Sequence, residues 1–191
     1  MDLILASPSK YRKALIERLG VPFRCVDPMV DESTWKAAIS DPRSLAEALA
    51  LAKARAVAGR FPAAVVIGGD QVVALDGQIL GKPGTDERAV AQLRAMAGRS
   101  HGLITAMAVV APGRTYQETD VATLGVRPLS LGAIERYVAV DHPADCVGSY
   151  KLEARGITLF DRIEARDHSA ITGIPLIALT SILLELGFTI P

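Results

Sequence analysis

The chain has 191 residues, 50% hydrophobic and 22% charged, and its 21 basic side chains equal its 21 acidic ones. A chain of this size can bury about 70% of its unfolded surface, enough for a single domain over residues 1–191 with a real core. The composition excludes a disordered or collagen-like chain, and the balanced charge argues against a general nucleic-acid binder. In chain order, Leu3 to Ala6 reads as a short apolar strand. It is followed by Ser7-Pro8-Ser9 and a helix with Tyr11, Ala14, Leu15 and Leu19 at helical spacing, stopped by Gly20. The acidic stretch Asp31-Glu32-Ser33 precedes a second helix, announced by Ser40-Asp41-Pro42 and running to about Val57. Leu45, Leu49, Ala52 and Ala56 form its expected inner stripe, with Lys53 at the flank.

The apolar run Ala63 to Ile67 predicts a strand covered on both faces, ending in Gly68-Gly69-Asp70, so that Asp70 sits where the strand emerges. Gln71 to Leu75 and Gln78 to Leu80 flank Asp76-Gly77, a strong two-residue hairpin signal. Thr85 caps a helix ending at Gly98. Two strands, His101 to Val110 and Tyr116 to Val126, turn at Ala111-Pro112-Gly113, and Ser130 caps a further helix. A loop from His142 to Glu153, a strand from Ile157 to Phe160 and a closing helix from Leu176 to Leu186 complete the chain. Alternating strands and helices with two hairpins predict an α/β fold, a mixed twisted sheet flanked by helices.

No targeting segment and no apolar run of membrane-spanning length is present, so the expectation is a cytoplasmic protein with no membrane partner. Cys25 and Cys146 are too few for a disulfide framework and are expected to be buried, reduced fillers. Gly77-Gln78-Ile79-Leu80-Gly81-Lys82-Pro83 is one residue short of a phosphate-binding P-loop and has Pro in place of its hydroxyl residue; no dinucleotide fingerprint follows any strand.

Three segments are left as candidates for chemistry. Ser7, Ser9 and the basic residues Lys10, Arg12 and Lys13 surround a helix N-terminus, an anion site in outline or an ordinary cap with solvated charges. Asp70 is suited to a metal ligand, a general base or a hydrogen-bonded turn, with Lys82 following the next hairpin. Gly148-Ser149-Tyr150-Lys151-Leu152-Glu153 reads as a binding loop or as an exposed turn with a Lys151–Glu153 ion pair.

Taken together, Leu5-Ala6-Ser7-x-Ser9-x-x-Arg12, Val30-Asp31-Glu32, Lys53-Ala54, Gly69-Asp70-Gln71-Val72, Gly81-Lys82-Pro83 and Gly148-Ser149-Tyr150-Lys151-x-Glu153 resemble the Maf family of nucleotide pyrophosphatases. The likeness continues through Gly156-Ile157-Thr158-Leu159-Phe160 and Gly173-Ile174-Pro175-Leu176, and so spans essentially the whole chain. It implies the fold of the house-cleaning nucleoside triphosphate pyrophosphatases, with two lobes around a cleft, and a divalent cation such as Mg²⁺ or Mn²⁺. The implied reaction cleaves a nucleoside triphosphate to the monophosphate and diphosphate. By that resemblance Asp70, Lys53 and Lys82 are catalytic, and Ser7, Ser9 and Arg12 hold phosphates. Glu32 and Asp70 are candidate metal ligands.

Gln71 and Glu153 stand where the dTTP- and UTP-cleaving branch has Thr and Gln, so the likeness is to the 7-methyl-GTP branch. Glu153 is chemically suited to the donor edge of guanine, and Tyr11 or Trp35 to stacking on a cationic methylated base, worth about 1 kcal/mol. Departures from the branch are Gly69 for Ser, Tyr11 for Trp and Ala106 in the Thr-Gly strand motif. The alternatives are a dTTP/UTP pyrophosphatase and a nucleotide-binding regulator of septum formation without catalysis. The implied partner is a small-molecule nucleotide rather than nucleic acid, and the implied assembly a homodimer.

Overall fold

A computed structural model describes residues 1–190; the final position of the domain expected over 1–191 lies outside it. In chain order the elements are β1 (Leu3–Leu5), α1 (Lys10–Glu17), β2 (Arg24–Cys25), α2 (Ser33–Ala38), α3 (Pro42–Ala58), β3 (Val65–Leu75) and β4 (Gln78–Leu80). They continue with α4 (Asp86–Met96), β5 (Ser100–Ala111), β6 (Arg114–Val126), α5 (Leu131–Asp141), β7 (Phe160–Glu164), α6 (His168–Thr172) and α7 (Leu176–Glu185). The strands form one seven-stranded sheet in the order β2-β1-β3-β5-β6-β7, with β4 beside β3. Parallel β1–β2 and β1–β3 pairs and antiparallel β3–β4 and β6–β7 pairs make the sheet mixed, as the two hairpins imply. Among the described residues no helix is long and apolar enough to cross a membrane.

The chain divides into two compact units, the first comprising residues 1–71, 105–120 and 167 onward, the second residues 72–104 and 121–166. In the first, Leu3, Leu5, Ile16, Val65, Ile67, Met107, Val109, Ile174, Leu179 and Leu183 form a continuous apolar core. Full burial of each such side chain stabilises the fold by about 1.5–3 kcal/mol. Asp41 caps α3 by accepting from Ser44 N, with Pro42 in the first turn, so this helix begins where its sequence signal lies. In the second unit, Asp76 and Gly77 take φ of 49° and 79°, the left-handed pair that a tight hairpin needs, and set the register Val73↔Leu80 and Leu75↔Gln78. Thr85 and Ser130 cap α4 and α5, which bury Ala89, Leu93, Met96, Ile134, Tyr137 and Val138.

Several expectations are corrected. β3 does not end before Asp70 but runs unbroken from Val65 to Leu75, so Asp70 lies inside a strand rather than at its mouth. The Asp31-Glu32-Ser33 stretch leads into a short helix, α2, and a further short helix, α6, lies between β7 and α7. The strand expected over Ile157–Phe160 is displaced: Arg155–Leu159 is a 3-10 turn, and pairing with β6 begins at Phe160 opposite Val126. Gly156 N bonds to Lys151 O in that turn, and a Cβ on Gly156 would stand 2.4 Å from the same oxygen, so the chain there is folded tightly back on itself. Cys25 is exposed and Cys146 partly so, and neither is a core filler.

Candidate active site

In the first unit the site is built where α3 crosses β3. A Cβ on Gly68 would sit 2.3 Å from Ala50 O and 2.7 Å from Ala54 N, so glycine lets the helix backbone lie directly on the strand. That approach turns Ala46, Leu49, Ala50, Lys53, Ala54 and Val57 inward, while Ala52 and Ala56 remain partly exposed. Lys53 is therefore part of the buried stripe, not its flank. Its ammonium lies 2.6 Å from Asp70 Oδ1 and 2.6 Å from Glu32 Oε1, one cation bridging two carboxylates. Lys53 and Asp70 are only 9% and 8% exposed, so each depends on the other for its charge to be tolerated.

The surroundings push the two carboxylates in opposite directions. Burial holds Asp70 above the ordinary carboxylate range, against the pull of Lys53 and Arg12. Burial also acts upward on Glu32, but hydrogen bonds from Lys36 and Lys53 outweigh it and bring Glu32 down to about 2. The Lys36 partner, 2.6 Å from Glu32 Oε2, went unnoticed in the sequence, although its position four residues after Glu32 on α2 is the signal for it. Glu32 is thus held in its charged form, whereas burial works against the charge on Asp70.

Ser9 caps α1, its hydroxyl accepting from Arg12 N, and Ser7 Oγ accepts from Ser9 N at 3.1 Å. Each hydroxyl keeps its own proton to donate. Arg12 donates from Nε to Gly173 O at 3.2 Å and reaches Ser7 Oγ from Nη1, which fixes the guanidinium plane and leaves further N–H groups to spare. Burial lowers the Arg12 pKa, opposed by Asp70 and Glu32. Gly173, at φ 128°, and Gly69 make room for this arginine: a Cβ on either would stand 3.2–3.3 Å from Arg12 Nε, and one on Gly69 would also meet Ile174 Cδ1 at 2.9 Å. Gly69, noted as a departure, is thus matched to Ile174 and Arg12.

Sequence reasoning also missed the support behind Gly173. Asp167 accepts from the N–H groups of Ser169 and Ile177 and from the Ser169 hydroxyl at 2.5 Å, and Ser169 Oγ in turn accepts from Leu176 N, locking the turn that offers its carbonyl to Arg12. Gln71 Nε2 lies within 3.0 Å of Thr105 Oγ1, Ala170 O and Ile171 O, so the nitrogen end of this amide is committed to protein acceptors. Tyr11 is half-buried on α1 with the Lys10 ammonium 5.0 Å from its ring centre, and Trp35 stands partly exposed on α2.

Lys82 and Glu153 belong to the second unit, where both are exposed. Lys151 does not pair with Glu153. Its ammonium instead caps the end of α5 through Asp141 O and His142 O, with Asp145 at 3.4 Å, and its N–H donates to Tyr137 Oη. Tyr150 Oη lies 3.0 Å from His101 Nε2 in the interior, where burial lowers His101 to about 4.

No group of three His, Cys, Asp or Glu side chains is placed to hold an ion among the described residues. Asp70 and Glu32 are carboxylates of the kind that hold Mg²⁺ or Mn²⁺ when phosphate oxygens and water complete the shell, and here the Lys53 ammonium lies against both of them.

The mixed sheet with its flanking helices describes an α/β protein, and the Maf-like protein family profile matches residues 2–186. The chain belongs to the Maf-like family. It is 48% identical over 189 residues, covering 99% of this chain and 98% of the relative, to a protein named 7-methyl-GTP pyrophosphatase from Xanthomonas axonopodis pv. citri. Proteins of the same name from Bdellovibrio bacteriovorus (46%; 95% of each chain) and Pseudomonas aeruginosa (45%; 100% of this chain, 99% of the relative) are similar throughout.

Proposed function

We propose that this chain is a nucleoside triphosphate pyrophosphatase acting on 7-methyl-GTP or a closely related modified guanine nucleotide, with a house-cleaning role in the nucleotide pool. The observation that carries the reading is the buried Lys53–Asp70 pair beside Glu32, in a chain alike along its length to relatives named for that activity. Asp70 accepts a proton from water as the water oxygen bonds to phosphorus. The anhydride bond breaks, and diphosphate leaves with the electron pair of the bridging oxygen. A carboxylate whose proton affinity is raised by burial suits that role better than an ordinary one. Lys53 holds Asp70 in place, and Arg12, already anchored on Gly173 O, offers its spare N–H groups to phosphate oxygens together with the Ser7 and Ser9 hydroxyls.

A divalent cation held by Asp70 and Glu32 with substrate phosphates would neutralise charge on the triphosphate. From the resemblance, Lys82 neutralises phosphate, and Tyr11, Gln71 and Glu153 select the base. Glu153 is exposed, with its carboxylate available to a guanine donor edge. A cytoplasmic location, a single domain and a homodimer complete the reading.

The test is diphosphate release from 7-methyl-GTP, GTP, dTTP and UTP, with Mg²⁺, Mn²⁺ or a chelator. Metal-dependent turnover led by 7-methyl-GTP is expected. Preference for dTTP and UTP would keep the reaction and discard the base assignment, and binding without turnover would make the chain a regulator.

A further inference from the structure

Gln92, on α4, makes two hydrogen bonds of opposite sense with one amide. Its Nε2 donates to Gly81 O at 3.0 Å, and its Oε1 accepts from Ser149 Oγ at 2.6 Å. The orientation is forced, because the Gly81 carbonyl can only accept and so must face the nitrogen. Gly81 precedes Lys82, and Ser149 opens the stretch that reaches Glu153. The same two segments meet again where Gly84 N donates to Ala144 O at 3.0 Å.

Ser149 is fully buried yet has φ of 62°, a conformation that disfavours every residue but glycine. Gly148 before it has φ of 72°, and a Cβ there would stand 2.7 Å from Tyr150 Cε1, so the loop is held in one tight path. A glycine at position 149 would relieve the strain, whereas the serine supplies the hydroxyl that donates to Gln92. α4 is anchored without that bond by Ala89, Leu93 and Met96, all buried.

We infer that Gln92 is a positioning residue that ties the Lys82 segment to the Glu153 loop, so that phosphate neutralisation and base selection are set together. The inference rests on the pyrophosphatase reading above for the roles of Lys82 and Glu153, whereas the tether itself is a property of the second unit. Both acting side chains are long and exposed, so what the protein can fix is the chain that carries them, and Gln92 holds the carbonyl just before Lys82 and the serine four residues before Glu153.

Three variants separate the two arms. Gln92→Leu removes both bonds. Gln92→Glu keeps an acceptor for Ser149 but has no donor for Gly81, and Ser149→Gly removes the hydroxyl while suiting the backbone. Hydrogen exchange is read at the bonded amides of Gly84, Ser149 and Lys151, beside diphosphate release from 7-methyl-GTP and GTP. Gln92→Leu should speed exchange about tenfold in both segments and lower the 7-methyl-GTP to GTP preference. Gln92→Glu should loosen Gly84 alone and raise KM for both nucleotides with the preference unchanged. Ser149→Gly should loosen Ser149 and Lys151 and change the preference with little effect on KM for GTP.

Unchanged exchange in Gln92→Leu overturns the tether. Faster exchange with an equal loss for both nucleotides and unchanged KM makes Gln92 merely structural and overturns its positioning role. If the unaltered chain releases diphosphate from no nucleotide, the pyrophosphatase reading fails and the recognition role with it, while the exchange pattern still decides whether the two segments are tied.

Discussion

The charged residues proposed for the site are placed in opposite ways in the two units. In the first, Lys53, Asp70, Arg12 and Glu32 are themselves fixed: two are buried, and every one is bonded to a named partner within the unit. In the second, Lys82 and Glu153 stand exposed, and neutral groups such as Gln92, Tyr137, His101 and the Lys151 backbone hold the chain beneath them. Groups that stabilise developing charge work best when already oriented in a poorly solvated place, since no reorganisation is then paid during the reaction. Groups that discriminate a base gain from waiting in water until the correct edge arrives. In the proposed reading Asp70, Lys53 and Arg12 of the first unit meet the phosphates from fixed positions while Lys82 and Glu153 of the second meet the substrate from exposed ones, and mutation can break that contrast.

The largest effect is expected at Asp70. Asp70→Asn keeps the shape and removes the base, so kcat should fall on the order of a thousandfold. The amide also takes one of two carboxylate partners from the buried Lys53 ammonium, leaving Glu32 alone beside it, so the melting temperature should fall as well. In the unaltered chain, turnover should rise with pH through a midpoint above the ordinary carboxylate value of 3.8. A variant with unchanged stability and full turnover would contradict both the pairing and the catalytic role. Lys53→Met comes next: it strands Asp70 in the interior and should cost about 3–5 kcal/mol in chemical denaturation.

In the second unit the pattern should invert. Glu153→Gln removes one charge-assisted contact from an exposed site, so the preference for 7-methyl-GTP over GTP should fall by about tenfold. Stability should stay within about 0.5 kcal/mol. Steady-state rates on the two nucleotides check the first, and thermal unfolding the second. A large stability loss at Glu153 would erase the distinction between the units.

This division was only partly legible in the sequence. Capping signals at Asp41, Thr85 and Ser130 and the Asp76-Gly77 turn lie where the elements begin or reverse, because those signals act within one turn of chain. The Lys53–Asp70–Glu32 contact joins a helix, a strand and a loop. Its cause, the close seating of α3 on Gly68, depends on a helix-to-strand distance that no local pattern carries. The same holds for Arg12 and Gly173, 161 positions apart. The run Gly68-Gly69-Asp70 read as a strand end because glycines usually break strands. Here Gly68 admits the α3 backbone and Gly69 clears space for Arg12 and Ile174, and the strand passes through. The misplaced strand at Ile157 has a related cause, since an apolar run was read without the turn that Gly156 makes on Lys151 O.

Acid provides the finest test of the comparison, because the two units should lose stability in different pH windows. Burial lowers His101 from 6.5 to about 4, so the native state keeps it neutral while the unfolded chain takes up a proton. Its contribution is complete above pH 6.5 and is lost as pH falls toward 4, with a slope of up to about 1.4 kcal/mol per pH unit for one proton. Glu32, held at about 2 against an ordinary 4.5 chiefly by hydrogen bonds that outweigh its burial, contributes fully above 4.5 and loses that contribution toward pH 2. His101→Phe should therefore flatten the stability profile between pH 6.5 and 4, and Glu32→Gln only below 4.5. Denaturant midpoints of both variants across pH 2 to 7 check this. A single shared window would mean that neither group titrates as its own surroundings dictate, and the two units would no longer differ in how they carry charge.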